Sequence, residues 1–242
     1  MVVFSNSLGT TGQMWDVQAA ALSGHLRVLR YASRGHGETP ARPGPYSIAD
    51  LAGDVLALLD RLELDRVSFC GLSIGGMTGM WLGVNAPDRI DRLVICCTAM
   101  QLPPPDMWVE RAALVRREGM EAVINATIER WFTPEFPKRN PEAVKRIRET
   151  FLRTDPEGYA GHCEALAEAD MRGELGAIRA PTLVIGGEDD PVGTPERIAA
   201  IADEARGSRL VILPEARHLA AVECSDAVTR ELEQHLGVRA AR

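Results

Sequence analysis

Residues 67–82 read VSFCGLSIGGMTGMWL, and this stretch decides the fold. Its first four residues form an apolar run typical of a buried strand, and residues 74–85 have the spacing of a helix. Between the two lies the pattern G-x-S-x-G, centred on Ser73. Glycines two residues before and after the serine let a sharp strand-to-helix turn close without a Cβ clash. The context therefore predicts that Ser73 stands in a strained turn, where its hydroxyl can act as a nucleophile.

The same alternation of strand and helix patterns extends along most of the chain. Apolar runs typical of buried parallel strands lie at residues 2–4, 27–31, 67–70, 93–97, 182–185 and 210–213. Helical spacing is found at residues 14–22, 48–62, 74–85, 195–205 and 219–235. Alternation of this kind predicts an α/β fold with a mostly parallel, doubly wound sheet and right-handed crossovers.

Residues 101–172 break this alternation, because they contain no strand pattern. Helical patterns follow one another at residues 107–118, 121–131, 142–151 and 157–169, and the edges carry Pro103 and Gly173. We interpret the segment as a helical cap inserted into one α/β core, which residues 1–100 and 173–242 form. The alternative is that these helices belong to the core itself.

Composition and charge limit the partners that the chain can have. The formal net charge is -7 and the sequence pI is near 5.3, whereas a nucleic-acid-binding domain needs clustered Lys and Arg. The sequence shows no signal peptide and no apolar span of bilayer length. Its five cysteines form no CxxC pair, which favours reduced thiols. We expect a cytoplasmic protein that acts on a small molecule, without nucleic-acid or membrane partners. The oligomeric state does not follow from the sequence.

A serine nucleophile needs a histidine base, and the base needs an acid that orients it. Where the serine lies on a strand-to-helix turn, the acid and then the histidine follow it along the chain. Of the five histidines, only His218 follows a late strand and precedes the last helix. The loop after the strand at 182–185 reads GGEDDP and offers Asp189 and Asp190, between which spacing does not decide. The alternative for Ser73 is a solvated serine in a glycine-rich turn.

Hydrolysis at such a serine also needs two N–H groups that bind the negative oxygen of the intermediate. The first is the N–H of Ile74, at the N-terminus of the helix that follows Ser73. The loop after the first strand reads SNSLG at residues 5–9. By its position in that loop, the N–H of Leu8 is expected to be the second donor.

Several motifs together resemble the 3-oxoadipate enol-lactone hydrolases, a family of α/β-hydrolases in bacterial aromatic catabolism. They are SNSLGT at 5–10, MWD at 14–16, RGHG at 34–37, GLSIGGM at 71–77, NAP at 85–87, WFTP at 131–134, EGY at 157–159 and ADMR at 169–172. The likeness therefore includes the predicted cap. It implies the α/β-hydrolase fold and supports residues 5–9 as the oxyanion loop. It favours Asp190, because the family's acid directly precedes a proline. The family has two further strands before the position of Val2, so we expect a sheet without that N-terminal strand pair or a start upstream of Met1.

The resemblance also implies a reaction, the opening of an enol-lactone by Ser73, Asp190 and His218 without a metal or an organic cofactor. The alternatives are a carboxylesterase or another lactonase on the same fold. An alternative from another class is a small-ligand receptor on this scaffold that does not hydrolyse its ligand.

A substrate that carries a carboxylate needs positive charge or donors in its pocket. The candidates for binding this carboxylate are arginines of the predicted cap: Arg130, and also Arg153 and Arg172. Trp131 is the candidate for the pocket lining, since the resemblance includes it.

Overall fold

A computed structural model describes residues 1–102 and 104–238, and a parallel sheet lies at its centre. The described chain contributes six strands in the order β2-β1-β3-β4-β5-β6, and every pairing is parallel. The strands are β1 Val2–Ser5, β2 Val28–Arg30, β3 Val67–Leu72, β4 Ile90–Cys96, β5 Thr182–Gly187 and β6 Arg209–Leu213. The prediction of an α/β fold with a parallel, doubly wound sheet is confirmed.

Helices connect these strands. They are α1 Asp16–Ser23, α2 Ile48–Arg61, α3 Ile74–Asn85, α4 Pro105–Glu118, α5 Glu121–Trp131, α6 Phe136–Arg139, α7 Pro141–Leu152, α8 Pro156–Glu168, α9 Pro195–Glu204, α10 Ala220–Glu223 and α11 Ser225–His235. Local sequence explains where α2 begins. The Ser47 hydroxyl accepts the N–H of Asp50, and the Asp50 carboxylate accepts the N–H of Ser47. In the part of the chain that the structure describes, no helix is long and apolar enough to cross a membrane.

Burial differs between the central strands and the edge strands. Every residue of β1, β3 and β5 is buried, as their nearly continuous apolar sequences predict. At the edges, Val28 and Leu29 of β2 are only half-buried, and Leu210 of β6 is 39% exposed. The prediction of six buried strands is wrong for β2 and β6. An edge strand has a neighbour on one side only and less cover from the helices.

The predicted helix at 219–235 is divided in two at Cys224. The backbone of Cys224 has φ -116° and ψ 44°, which lies outside the helical region. Gln18 lies against this break and is itself buried, and its Nε2 donates to the carbonyls of Ala221 and Ser225 at 3.0 and 3.1 Å. The Gln18 side chain thus supplies a hydrogen-bond partner for the Ala221 carbonyl, next to the break.

The segment between β4 and β5 is helical in its described part, where α4 packs against α8 and α5 against α7. Its two ends meet, because Gln101 pairs with Asp170 in an antiparallel bridge and the Met171 N–H donates to the Met100 carbonyl at 3.0 Å. This closure supports a cap at 101–172, and the division into cap and core stays a prediction. Pro103 of the predicted cap and residues 239–242 of the predicted core lie outside the described residues.

The backbone of the helical segment comes very close to the rest of the chain where Gly158 lies against Gly35. A Cβ on Gly158 would lie 2.4 Å from the Cα of Gly35. Gly35 has a φ of 72°, a conformation that side chains disfavour. Beside this contact, the N–H of Asp155 donates to the carbonyl of Gly35 at 3.0 Å. The RGHG and EGY motifs therefore meet backbone to backbone.

Substitution of Gly158 tests this contact. We expect Gly158→Ala to lower the free energy of unfolding by about 1–3 kcal/mol, since its methyl group forces two backbones apart. Gly53→Ala is the matched control, because a Cβ at Gly53 meets nothing within 4 Å on the exposed face of α2. The control should raise stability by up to about 1 kcal/mol through helix propensity. Urea unfolding of both variants measures the difference, and equal stabilities would contradict the contact.

Candidate active site

The turn between β3 and α3 places Ser73 at the end of the central strand. Ser73 has φ 60° and ψ -120°, a conformation that is rare for any residue except glycine. A Cβ on Gly71 would lie 2.0 Å from the carbonyl oxygen of Gly75, and one on Gly75 would lie 2.7 Å from that of Ser5. The two glycines of the motif are thus required sterically. The N–H of Ser73 donates to the Cys96 carbonyl at 2.9 Å, which fixes the turn to β4.

The loops that follow β5 and β6 bring Asp190 and His218 together. The Nδ1 atom of His218 lies 3.0 and 3.2 Å from the two carboxylate oxygens of Asp190, and both residues are buried. Gly187 makes this approach possible, because a Cβ there would lie 2.3 Å from the carbonyl oxygen of Ala216. Asp189 is exposed, and its carboxylate forms no hydrogen bond with His218. The choice that spacing left open therefore has a geometric answer, since only Asp190 contacts the histidine.

The electrostatics of Asp190 favour its ionised form. Burial alone raises the pKa of this carboxyl group, but the charge of His218 and its hydrogen bond act in the opposite direction. The N–H of Val192 also donates to the carboxylate, at 2.8 Å. The pKa of Asp190 consequently lies below its ordinary value. An ionised Asp190 can hold the proton of His218 on Nδ1 and leave Nε2 free to accept one.

Ser73 and His218 line the same cavity, which has a volume of about 30 Å³. In the described chain no hydrogen bond joins the Ser73 hydroxyl to His218. Such contacts often tighten only when a substrate is bound. The structure thus brings the three predicted residues to one place, with the serine and histidine facing a shared space.

Neither of the two predicted N–H donors has an acceptor within residues 1–102 and 104–238. In the loop at 5–10, the N–H groups of Ser7, Gly9 and Thr10 are all hydrogen-bonded, whereas that of Leu8 has no acceptor among the described residues. The same holds for Ile74, the first residue of α3, whose N–H lies at the positive end of the helix dipole. Leu8 lines the cavity beside Ser73. Two free backbone donors therefore flank the serine.

The helical segment closes the other side of the cavity with Trp131, Arg130 and Arg111. The Nε atom of Arg111 donates to the Tyr159 hydroxyl at 2.8 Å, and its guanidinium also bonds Thr127. Neither arginine forms a salt bridge with any carboxylate of residues 1–102 and 104–238. Burial, and then the charge of Arg111, lower the pKa of Arg130. Two uncompensated positive charges therefore face the cavity.

Comparisons with known proteins agree with this geometry. The sequence pattern of the α/β hydrolase fold matches residues 1–223. The chain belongs to the α/β hydrolase family. It is 40% identical to 3-oxoadipate enol-lactonase 2 of Acinetobacter baylyi over 232 residues, which are 96% of this chain and 86% of that relative.

Two solved structures are also similar to this α/β hydrolase. The enol-lactonase from Burkholderia xenovorans is 46% identical with a TM-score of 0.95, and the match covers 98% of this chain and 90% of that one. A thermophilic esterase from Thermogutta terrifontis is 29% identical with a TM-score of 0.93, covering 98% and 89%. The expected resemblance to the enol-lactone hydrolases is confirmed.

The cap arginines named from the sequence of this α/β hydrolase do not all reach the cavity. Arg130 lines it, but Arg172 is exposed and bonds Asp170, and Arg153 is exposed at the surface. Sequence reasoning missed Arg111, because one arginine on an amphipathic helix resembles a solvated surface residue. The role of Arg111 can be seen only in the folded structure, where α4 packs on α8 and Tyr159 of α8 accepts a hydrogen bond from the guanidinium.

Glu223, which the sequence did not single out, joins the helical segment to the loop that carries His218. One carboxylate oxygen accepts the N–H and the hydroxyl of Thr133 at 2.8 and 2.6 Å. The other accepts the N–H of Arg217 at 2.7 Å, directly before His218. The Leu219 N–H also donates to a carbonyl of the helical segment, at 3.1 Å. This contact explains the threonine of the WFTP motif in this α/β hydrolase.

A double-mutant cycle measures the contact between Thr133 and Glu223. Thr133→Val and Glu223→Gln should each lower the free energy of unfolding by about 1–2 kcal/mol, because each removes a hydrogen bond to a charged group. The double variant should lose less than the sum, by about 1 kcal/mol. Thr133→Ser keeps the hydroxyl and serves as the control. Additive losses in urea unfolding would show that the two side chains do not interact.

Proposed function

We propose that this chain is a serine hydrolase that opens the ring of 3-oxoadipate enol-lactone to give 3-oxoadipate. One observation carries the proposal. A single cavity is lined by a serine on a strained turn, by a histidine that is bonded to the buried Asp190, and by two arginines without a carboxylate partner in the described chain. The resemblance to enol-lactonases over nearly the whole chain supports this substrate.

In the proposed reaction, Ser73 attacks the lactone carbonyl while Nε2 of His218 takes its proton. The negative oxygen of the intermediate is bound by the N–H groups of Leu8 and Ile74. Asp190 stabilises the histidinium that forms. The ring then opens because the bond to the enol oxygen breaks, and the leaving enolate takes the proton from Nε2 of His218 and becomes a ketone, which returns His218 to its neutral form. Water activated by His218 finally hydrolyses the acyl-enzyme and releases the acid.

The substrate keeps a free carboxylate throughout, and Arg130 and Arg111 are proposed to bind it. Arg111 is held by Tyr159, so its position is fixed before a ligand arrives. Arg130 has no such restraint from the described residues. The cavity has a volume of about 30 Å³, and movement of its lining would make more room for a lactone. The five free cysteines support the proposed cytoplasmic location.

A carboxylesterase or another lactonase would share all three proposed catalytic residues, and the similar esterase from Thermogutta terrifontis keeps this alternative open. Turnover of the enol-lactone, compared with p-nitrophenyl acetate, separates the two. We expect a higher kcat/KM for the enol-lactone, because the simple ester has no carboxylate for the arginines. A preference for the ester contradicts the proposed substrate. Absence of hydrolysis of both would favour a ligand receptor.

Asp190 and Asp189 provide a neighbouring pair for testing the proposed acid. Asp190→Asn should lower kcat by about 10³- to 10⁴-fold, because the amide no longer stabilises the charged His218. Asp189→Asn changes the same kind of group one residue away on the exposed side, and it should retain normal activity. Steady-state kinetics on the enol-lactone measures both. Equal losses in the two variants would contradict the assignment of Asp190.

The role of Arg130 is tested by comparing a charged substrate with a neutral one. Arg130→Gln should raise KM for the enol-lactone about 10- to 100-fold, the effect of losing one hydrogen bond to a charged group. Hydrolysis of p-nitrophenyl acetate should be unaffected, because this ester is neutral. Arg153→Gln, at an exposed site in the same segment, is the control. A uniform loss on both substrates would contradict a role in carboxylate binding.

A further inference from the structure

A buried histidine outside the proposed triad contacts the loop that carries the Leu8 N–H. His36 belongs to the RGHG motif and has no exposed surface. Its Nε2 accepts the N–H of Gly9 at 2.8 Å, and its Nδ1 lies 3.0 Å from the carbonyl oxygen of Arg34. Because Nε2 accepts a hydrogen bond, the ring proton is on Nδ1, which donates to Arg34. Both nitrogens of His36 therefore bond to backbone.

Gly9 directly follows Leu8, which lines the cavity, and the Gly9 N–H belongs to the peptide group that joins the two residues. Within the loop, the Asn6 side-chain amide donates to the carbonyls of Ser7 and Thr10. Gly9 has a φ of 76°, a left-handed conformation that favours glycine. The Ser7 carbonyl, which shares a peptide group with the Leu8 N–H, also accepts the N–H and the hydroxyl of Thr10. The bond from the Gly9 N–H to His36 fixes the peptide group on the other side of Leu8, so both peptide groups that flank Leu8 are held.

The helical segment holds His36 in place. The ring of His162 on α8 stands edge-on to the His36 ring with centroids 4.7 Å apart. His162 is itself anchored, with its Nδ1 2.7 Å from the Gly158 carbonyl oxygen. A Cβ on Gly9 would lie 2.5 Å from the ring of Phe151. Loop, histidine and helical segment are thus packed as one unit.

We propose that His36 is a positioning residue that aims the Leu8 N–H at the oxyanion. The inference rests on the proposed function, because it makes His36 a support of the oxyanion hole that the N–H groups of Leu8 and Ile74 are proposed to form. His36 is not a second base, since neither of its nitrogens is free and it does not line the cavity of Ser73. Burial also lowers its pKa to about 4, which keeps the ring neutral and able to accept the Gly9 N–H near neutral pH.

Three variants of His36 separate its two hydrogen bonds. In His36→Gln the amide oxygen can occupy the place of Nε2 and accept the Gly9 N–H. In His36→Asn the shorter amide reaches only the Arg34 carbonyl, and in His36→Leu both bonds are lost. We expect the Asn and Leu variants to lower kcat for the enol-lactone about 10- to 100-fold with little change in KM, because one oxyanion donor is misplaced. The Gln variant should retain most of the activity.

A boronic acid and the product distinguish positioning from general damage to the fold. The boronic acid forms a tetrahedral adduct with Ser73 whose oxygen occupies the oxyanion hole, whereas 3-oxoadipate is a ground-state ligand. In the Asn and Leu variants the boronic acid should bind about 10- to 100-fold more weakly, in proportion to kcat, with unchanged product affinity. Leu59→Ala, which removes a buried side chain of α2, is the packing control, and it should lower stability in urea without changing this ratio.

Several outcomes would overturn the inference. If the Asn variant keeps the kcat and boronic-acid affinity of the wild type, His36 does not position the donor. If affinities for the boronic acid and the product fall together, or if a folded Gln variant is as poor as the Asn variant, the role is structural only. A wild type that turns over neither the enol-lactone nor p-nitrophenyl acetate overturns the proposed function itself, and with it the inference.

Discussion

The strained turn at Ser73 is the constraint on which the rest of the site depends. Its positive φ costs about 1–3 kcal/mol relative to a relaxed residue, so the surrounding structure must enforce it. β3 is buried along its whole length between β1 and β4, and α3 packs back on the sheet. The hydrogen bond from Ser73 to the Cys96 carbonyl adds a direct restraint. The rigid centre of the sheet thus holds the backbone of Ser73 in a conformation that it would otherwise avoid.

The helical segment contributes to the site through contacts with the loops that carry the proposed donors and base. Glu223 ties Thr133 to the backbone beside His218. Gly158 also meets Gly35, next to His36, whose Nε2 accepts the N–H of Gly9. If the segment moved to admit a substrate, both loops would therefore move with it. This arrangement allows closure over the lactone to be coupled to correct placement of the base and of the N–H donors.

Much of the fold was predictable, because its signals are local in the sequence. Apolar runs locate all six strands, and the G-x-S-x-G pattern between a strand and a helix locates Ser73. Chain order alone isolates His218. The resemblance then favours Asp190 over Asp189, and the geometry agrees with that choice, since only Asp190 contacts His218.

Other features depend on contacts between distant residues and carry no local signal. The break at Cys224 is stabilised by Gln18, from the other end of the chain. Arg111 becomes part of the cavity only through the packing of α4 on α8. Fluorophosphonate labelling followed by peptide mass spectrometry tests whether Ser73 is the nucleophile. We expect a single adduct on the peptide containing Ser73 and none in Ser73→Ala. An adduct at another residue, or an unlabelled wild type, would contradict this assignment.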